Sequence, residues 1–297
     1  MTMRIGVELA IKTPIDLLIS QLEKYDSYPF NRIWVPDSSI SEWEIFTTAG
    51  IVANIVKKAR IGIGVTSPYH RNPATIAHAI ATLDNISSGR IDFTIGRGSR
   101  PYLSSIDAVG TDEAVSEAIF IIKKLLNGEK VDYSGTSFNF KGVSQRVTTE
   151  QTQFQIYIAS MSEYWNDIGL EHSDGLHVYS ANTELLSKVK SYKERSSNPS
   201  FRLITTLGYV EPPEVREWWV SNFGKHYNLQ KLSNREPGEA SVSELESELT
   251  FSDTQGLQDQ INKMKEYSID ELMIAYRRPE DLEAIASIVS KLDIEDN

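Results

Sequence analysis

Two carboxylates and a basic glycine loop are the residues here whose types and spacing could do chemistry. Glu8 ends the apolar run RIGVEL and Asp37 follows RIWVP, so each stands where a short buried strand gives way to a loop. A carboxylate in such a place can be desolvated, its pKa raised, and set to donate or accept a proton. The bland alternatives are an ion-paired barrel residue for Glu8 and a turn or helix-capping residue for Asp37. The third feature is Gly96-Arg97-Gly98-Ser99-Arg100-Pro101. It has two glycines of a dinucleotide fingerprint and lacks the third, so as a motif it is weak. Its glycines still let backbone approach a ligand, and its arginines supply forks for phosphate or carboxylate. The alternative is a glycine-rich surface turn with solvated arginines. The loop VTSPYHRNPAT, Val65 to Thr75, is rigid and polar and carries His70 and Arg71; Pro73 also suits a plain helix entry.

Other chemistries are excluded by what is missing. With no cysteine, the chain has no disulfide framework, thiolate metal site, thiol nucleophile or iron–sulfur cluster. Its five histidines form no HxH or HxxxH pair, so no metal site is expected, and His172 and His177 read as structural. No GxSxG elbow supports a serine hydrolase. Redox chemistry would therefore need a bound organic cofactor.

The elements that must position these residues follow a strand–helix alternation. Strands are expected at Arg4 to Leu9, Arg32 to Val35, Ala59 to Val65, Ile91 to Ile95, Phe154 to Ile158, Gly175 to Tyr179, Leu203 to Val210 and Glu271 to Ala275. Amphipathic helical patterns separate them, and VDYSGTSFNF reads as a hairpin outside the main sheet. About eight short apolar strands alternating with helices predict an α/β fold, a (β/α)8 TIM barrel in one domain spanning 1–297, with a doubly wound open sheet as the other arrangement. Residues 211–250 break the rhythm and read as an insertion within the barrel. They hold Pro212-Pro213, Trp218-Trp219 and the start of the acidic run Glu236 to Thr254.

In a chain of 297 residues, 40% are apolar, 24% are charged and the net charge is -11, the make-up of a globular protein rather than a nucleic-acid binder. Against that balance, Lys57 to Arg100 holds seven basic residues and two acidic ones, a candidate anion site. No signal peptide and no membrane span are read, so a cytoplasmic protein is expected.

The block Gly62 to Arg100, GIGVTSPYHRNPATIAHAIATLDNISSGRIDFTIGRGSR, closely resembles the bacterial-luciferase-like superfamily, nearest to the methylenetetrahydromethanopterin reductases that use coenzyme F420. The matching pieces are Gly64 to Tyr69, Arg71 to Pro73, Ala81 to Arg90 and Gly96 to Gly98. Weaker echoes are RIGVEL, WVPDS, IYIASMSE and SDGLHVYS. The resemblance implies a luciferase-like barrel holding F420, or alternatively FMN, in its mouth. It implies a cis peptide between Gly64 and Val65 under the ring, and Thr66 and Ser67 near the ring's polar edge. It places a phosphate on the amides of Ser160, Met161 and Ser162. Gly96, Arg97, Gly98 and Arg100 join these as cofactor-binding candidates, and Glu8 and Asp37 are the catalytic ones.

Ser38 stands where the reductases have histidine, Ser99 where they have an acid, and Ser162 where they have glycine, so the pterin substrate does not carry over. The leading expectation is an F420-dependent oxidoreductase acting on a small organic substrate. The alternatives are an FMN-dependent monooxygenase served by a separate cofactor reductase, and a catalytically silent cofactor-binding barrel. A homodimer is also expected, from the resemblance and from Trp218-Trp219.

Overall fold

A computed structural model describes residues 3–10, 13–37, 43–98, 100–108, 111–160, 163–178, 183–211, 215 and 250–292. In chain order the elements are β1 (Arg4–Glu8), α1 (Ile15–Tyr25), β2 (Arg32–Val35), α2 (Ile45–Ile55), β3 (Arg60–Thr66), α3 (Pro73–Ser87) and β4 (Ile91–Ile95). Then come α4 (Arg100–Ser105), α5 (Glu113–Leu126), β5 (Val131–Ser134), β6 (Asn139–Val143), β7 (Ile156–Ser160), α6 (Glu163–His172), β8 (Gly175–Val178) and α7 (Thr183–Arg195). The last are β9 (Arg202–Tyr209), β10 (Thr250–Phe251), α8 (Thr254–Glu266), β11 (Glu271–Ala275) and α9 (Asp281–Val289).

Eight parallel strands close on themselves in the order β1-β2-β3-β4-β7-β8-β9-β11, with β11 returning to β1. This is the (β/α)8 barrel. The two-residue β10 adds to β9, and β5 and β6 pair antiparallel in a sheet of their own. The helices begin where chain chemistry says they should. Asn72 accepts from the Ala74 amide with Pro73 at the first helical position of α3, and Asp253 accepts from the Gly256 amide at the start of α8. Between strands and helices lies one apolar layer that includes Ile5, Val7, Ile33, Ile61, Phe93, Ile158 and Leu272. The proposed insertion, with Trp218 and Trp219, lies almost wholly outside the described residues. No described helix is long and apolar enough to cross a membrane.

The barrel interior is not filled by apolar side chains alone, as a set of mostly apolar strands would suggest. Inward positions of β2, β4 and β11 bury Arg32, Asp92 and Glu271, at 2%, 1% and 2% exposure. Arg32 Nη2 lies 2.8 Å from Asp92 Oδ2 and its Nη1 lies 2.6 Å from Glu271 Oε2. Arg60 Nε adds a 2.6 Å contact to Asp92, and the Trp34 indole donates to Glu271 Oε1 at 3.0 Å. Burial opposes the Arg32 charge, yet Asp92 and Glu271 outweigh it and raise its pKa. Arg32 and Glu271 open their strands, so this ionic layer seals the end opposite the strands' exits. Above it Trp34, Tyr157, Ile204 and Met273 form a second apolar cluster. Gly62 makes room for the indole: a Cβ there would come within 2.2 Å of Trp34 Cε3.

Candidate functional site

Barrel sites form where the strands end. Glu8 is the last residue of β1 and, because Ile5 and Val7 point outward into the helix layer, it shares the inward phase of Gly6. Its side chain has no hydrogen bond or ion pair among the described residues. Burial pushes its carboxyl up to about 7. An unpaired carboxyl poised there can take or give a proton at neutral pH.

Asp37 is differently placed. Arg71 Nη1 donates to its Oδ2 at 2.7 Å and Arg71 Nη2 to its Oδ1 at 3.4 Å, while the Thr66 hydroxyl also donates to Oδ2. Arg71 reaches on to Glu44 Oε1 at 2.9 Å and lies over the Phe46 ring. Both Asp37 oxygens are therefore occupied by a rigid clamp across the β2 and β3 exits, whereas no described residue holds Glu8.

Gly64, Val65, Thr66 and Ser67 form the β3 exit. The Gly64–Val65 peptide is cis, with Gly64 at φ +145°. A Cβ on Gly64 would lie 2.5 Å from the Thr94 carbonyl oxygen, so only glycine lets β3 and β4 approach so closely. Gly96 is similarly tight: its Cβ would meet Val65 Cγ1 at 2.9 Å and Ala159 Cβ at 3.0 Å. Ser67 is buried and donates to the Arg97 carbonyl at 2.8 Å. Gly98 turns at φ +87° against Ser67.

Arg97 is half-buried, and its Nε is sequestered from solvent with no acceptor among the described residues. No described carboxylate lies within ion-pair distance of it. Ser160 turns its side chain away from the lumen, donating to Oδ1 of the buried Asn166 on α6. Met161, Ser162, Ser38 and Ser99 lie outside the described residues, as does the side chain of Arg100, the first residue of α4.

Residues not singled out for the site make its floor. His177, the third residue of β8, is fully buried in the inward phase. Its Nδ1 lies 3.5 Å from Thr94 Oγ1, its Nε2 lies 3.3 Å from Thr206 Oγ1, and its ring centroid is 5.1 Å from that of Trp34. Burial, with help from the Arg32 charge, pushes its pKa down to about 3, so the imidazole is neutral. The alternation of GLHV could have exposed this position, because histidine occupies a phase shared with Gly175 rather than with Leu176 and Val178. His172, by contrast, lies at the surface 3.7 Å from Glu171.

A family model described as luciferase-like monooxygenase matches residues 2–202. The 5,10-methylenetetrahydromethanopterin reductase of Methanolobus tindarius is 26% identical over 181 residues, covering 59% of this chain and 54% of that one. The chain thus spans about half the length of the curated relatives it matches, 54% and 53% for two such reductases. Two solved structures superpose over nearly the whole barrel. The F420-dependent tetrahydromethanopterin reductase of Methanopyrus kandleri does so with a TM-score of 0.76 at 16% identity, covering 98% of each chain. An F420-dependent secondary alcohol dehydrogenase in complex with an F420–acetone adduct does so with a TM-score of 0.80 at 15% identity, covering 98% of this chain and 99% of that one. At such identities the likeness is one of fold.

Proposed function

We propose, for a chain that belongs to the luciferase-like monooxygenase family, that it is an oxidoreductase holding coenzyme F420 in the barrel mouth and acting on a small organic substrate. One observation carries this reading. Two ionisable side chains, the Glu8 carboxyl and the Arg97 guanidinium, stand at the same end of the barrel with no hydrogen bond or ion pair among the described residues, beside a backbone cradle at Gly64, Gly96 and Gly98. A cofactor with a flat ring and an anionic tail complements that arrangement.

When bound, the deazaflavin supplies hydride transfer. The protein's part is orientation and proton handling. Gly64 and Val65 support the ring. Thr66 and Ser67 donate their hydroxyl protons to Asp37 and to the Arg97 carbonyl and accept from Arg71 Nη1 and from the Tyr69 amide, so they brace the β3 exit on which the ring would rest. Glu8 moves the proton. Asp37, held by Arg71, keeps the β2 exit in place. Arg97, with Arg100, and the amides of Ser160, Met161 and Ser162 hold the anionic parts.

Arg97→Ala is expected to weaken binding of the anionic cofactor or substrate by roughly tenfold to a hundredfold, since a charge-assisted hydrogen bond contributes roughly 1.5–3 kcal/mol. Thermal stability should barely change, because no hydrogen bond or ion pair to a described residue is lost. Unchanged affinity in both Arg97→Ala and Arg100→Ala would return the loop to a solvated surface turn.

Mixing the protein separately with F420 and with FMN and recording visible spectra tests the cofactor. F420 binding followed by hydride transfer supports the reading. Tight FMN binding without F420 affinity replaces it with the FMN-dependent monooxygenase, which needs a separate reductase. Binding without any turnover replaces it with the silent barrel. The protein is also proposed to be a homodimer; a monomeric mass by light scattering at micromolar concentration rejects that.

A further inference from the structure

A groove of about 870 Å³ opens at the end of the barrel opposite the mouth. Its walls are the C-terminal turn of α5, the stretch 144–155 that forms neither helix nor strand, Asp174 just ahead of β8, and Asn198 and Ser200 just ahead of β9. The volume suits a small organic ligand. Long irregular stretches inside a compact domain usually carry function.

One set of polar groups builds these walls. Gln151 Nε2 donates to Asp84 Oδ1 and to the Ile91 carbonyl, each at 2.8 Å, and its Oε1 accepts from Arg60 Nη2 at 3.0 Å. Asp174 accepts from the Ile156 amide at 3.0 Å and from Asn198 Nδ2 at 3.2 Å, and it lies 3.1 Å from Lys123 Nζ. A second set of polar groups braces nothing: the side-chain amides of Gln145, Gln153 and Gln155 have no hydrogen bond among the described residues. Gln145 folds both ends of its amide out of water with neither end met, a desolvation cost that a turn of the side chain into the groove would relieve in the presence of a ligand.

The lining selects the ligand. Lys123 and Asp174 are its charged residues, and they pair with each other, so neither a phosphate nor a cation finds an uncompensated partner there. A side-chain amide holds a donor and an acceptor side by side and complements groups that can both accept and donate, as hydroxyls do. Leu126, Val147 and Phe154 add apolar surface for C–H faces. We propose that this groove is a second ligand site, for a neutral sugar whose adjacent hydroxyls pair with the amides of Gln145, Gln153 and Gln155. It lies at the far end of the barrel from Glu8 and Arg97, so it is independent of the cofactor reading.

The test titrates the isotope-labelled full chain with maltotriose, a mannotriose and a galactotriose, three neutral sugars of different hydroxyl stereochemistry, and follows amide signals by NMR. At least one of them is expected to shift the side-chain signals of Gln145, Gln153 and Gln155 saturably, while the backbone signals of Gly64 and Gly96 in the mouth stay in place. Three or four ordinary hydrogen bonds correspond to a dissociation constant of about 1 mM. Gln145→Leu should weaken that binding by about tenfold, with thermal stability unchanged or higher because two unmet buried polar atoms are removed. Gln153→Ala, at an exposed position where folding is not at stake, should weaken it by about as much. No saturable shift with any of the three sugars overturns the proposal, as does an affinity unchanged in both variants or a shift confined to the mouth. Triglycine offers peptide groups in place of hydroxyls; groove signals that move with triglycine and with none of the sugars would make this a peptide groove and reject the sugar site.

Discussion

Glu8→Gln is expected to lower kcat/KM by about 10²–10⁴ while cofactor affinity changes little, the range lost when a positioned acid–base group is removed. Glutamine keeps the shape and cannot ionise. The pH profile supplies the sharper readout. With its carboxyl at about 7, against an ordinary value of 4.5, wild-type Glu8 should place a limb near pH 7 in kcat/KM of the free enzyme, and the variant should lack it. Stability should respond in a defined sense. Between pH 4.5 and 7 the folded chain retains a proton that the unfolded chain has released, so wild type loses stability as pH rises through that window. Glu8→Gln escapes this loss and should equal or exceed wild type in urea unfolding at pH 8. A limb near 7 that survives in Glu8→Gln would assign it to another group. That group would not be His177, which is neutral throughout this range.

The contrast between Glu8 and Asp37 shows where sequence reasoning ends. Both were legible as carboxylates at strand exits, because an apolar run ending in an acid marks the place. What separates them is tertiary. Arg71 comes from the loop after β3 and becomes the Asp37 clamp only once β2 and β3 lie side by side. Periodicity located the elements well: Arg32–Val35, Ile91–Ile95 and Glu271–Ala275 are strands at the expected bounds. It missed α4 and β10, whose six and two residues are too short to carry a period. The ionic layer was invisible for another reason. Arg32, Asp92 and Glu271 are single charges in three distant apolar runs, and nothing in any one run signals the others. Barrel closure alone brings them together. The groove amides escaped similarly, since Gln145, Gln153 and Gln155 read as a polar surface loop until the elements packed around them are known.

Arg32→Leu is expected to cost about 3–5 kcal/mol in urea unfolding, the range for removing one partner of a buried ionic group. The leucine fills part of the space, but Asp92 and Glu271 remain at 1% and 2% exposure, and among the described residues Arg60 alone stays within ion-pair distance of either. Glu271 keeps its Trp34 hydrogen bond and loses its cation. Burial already holds the Glu271 pKa above its ordinary value against the pull of Arg32, and without Arg32 it must rise further. Above pH 4.5 the unfolded chain sheds this proton while the folded variant keeps it, so the deficit should deepen as pH rises and shrink toward pH 4. Adding Glu271→Gln should recover part of the loss by removing the uncompensated charge. Because the layer seals the end opposite Glu8 and Arg97, the folded variant should bind cofactor as wild type does. A pH-independent deficit below about 1 kcal/mol would mean that water reaches these carboxylates and that the barrel floor is not sealed by charge.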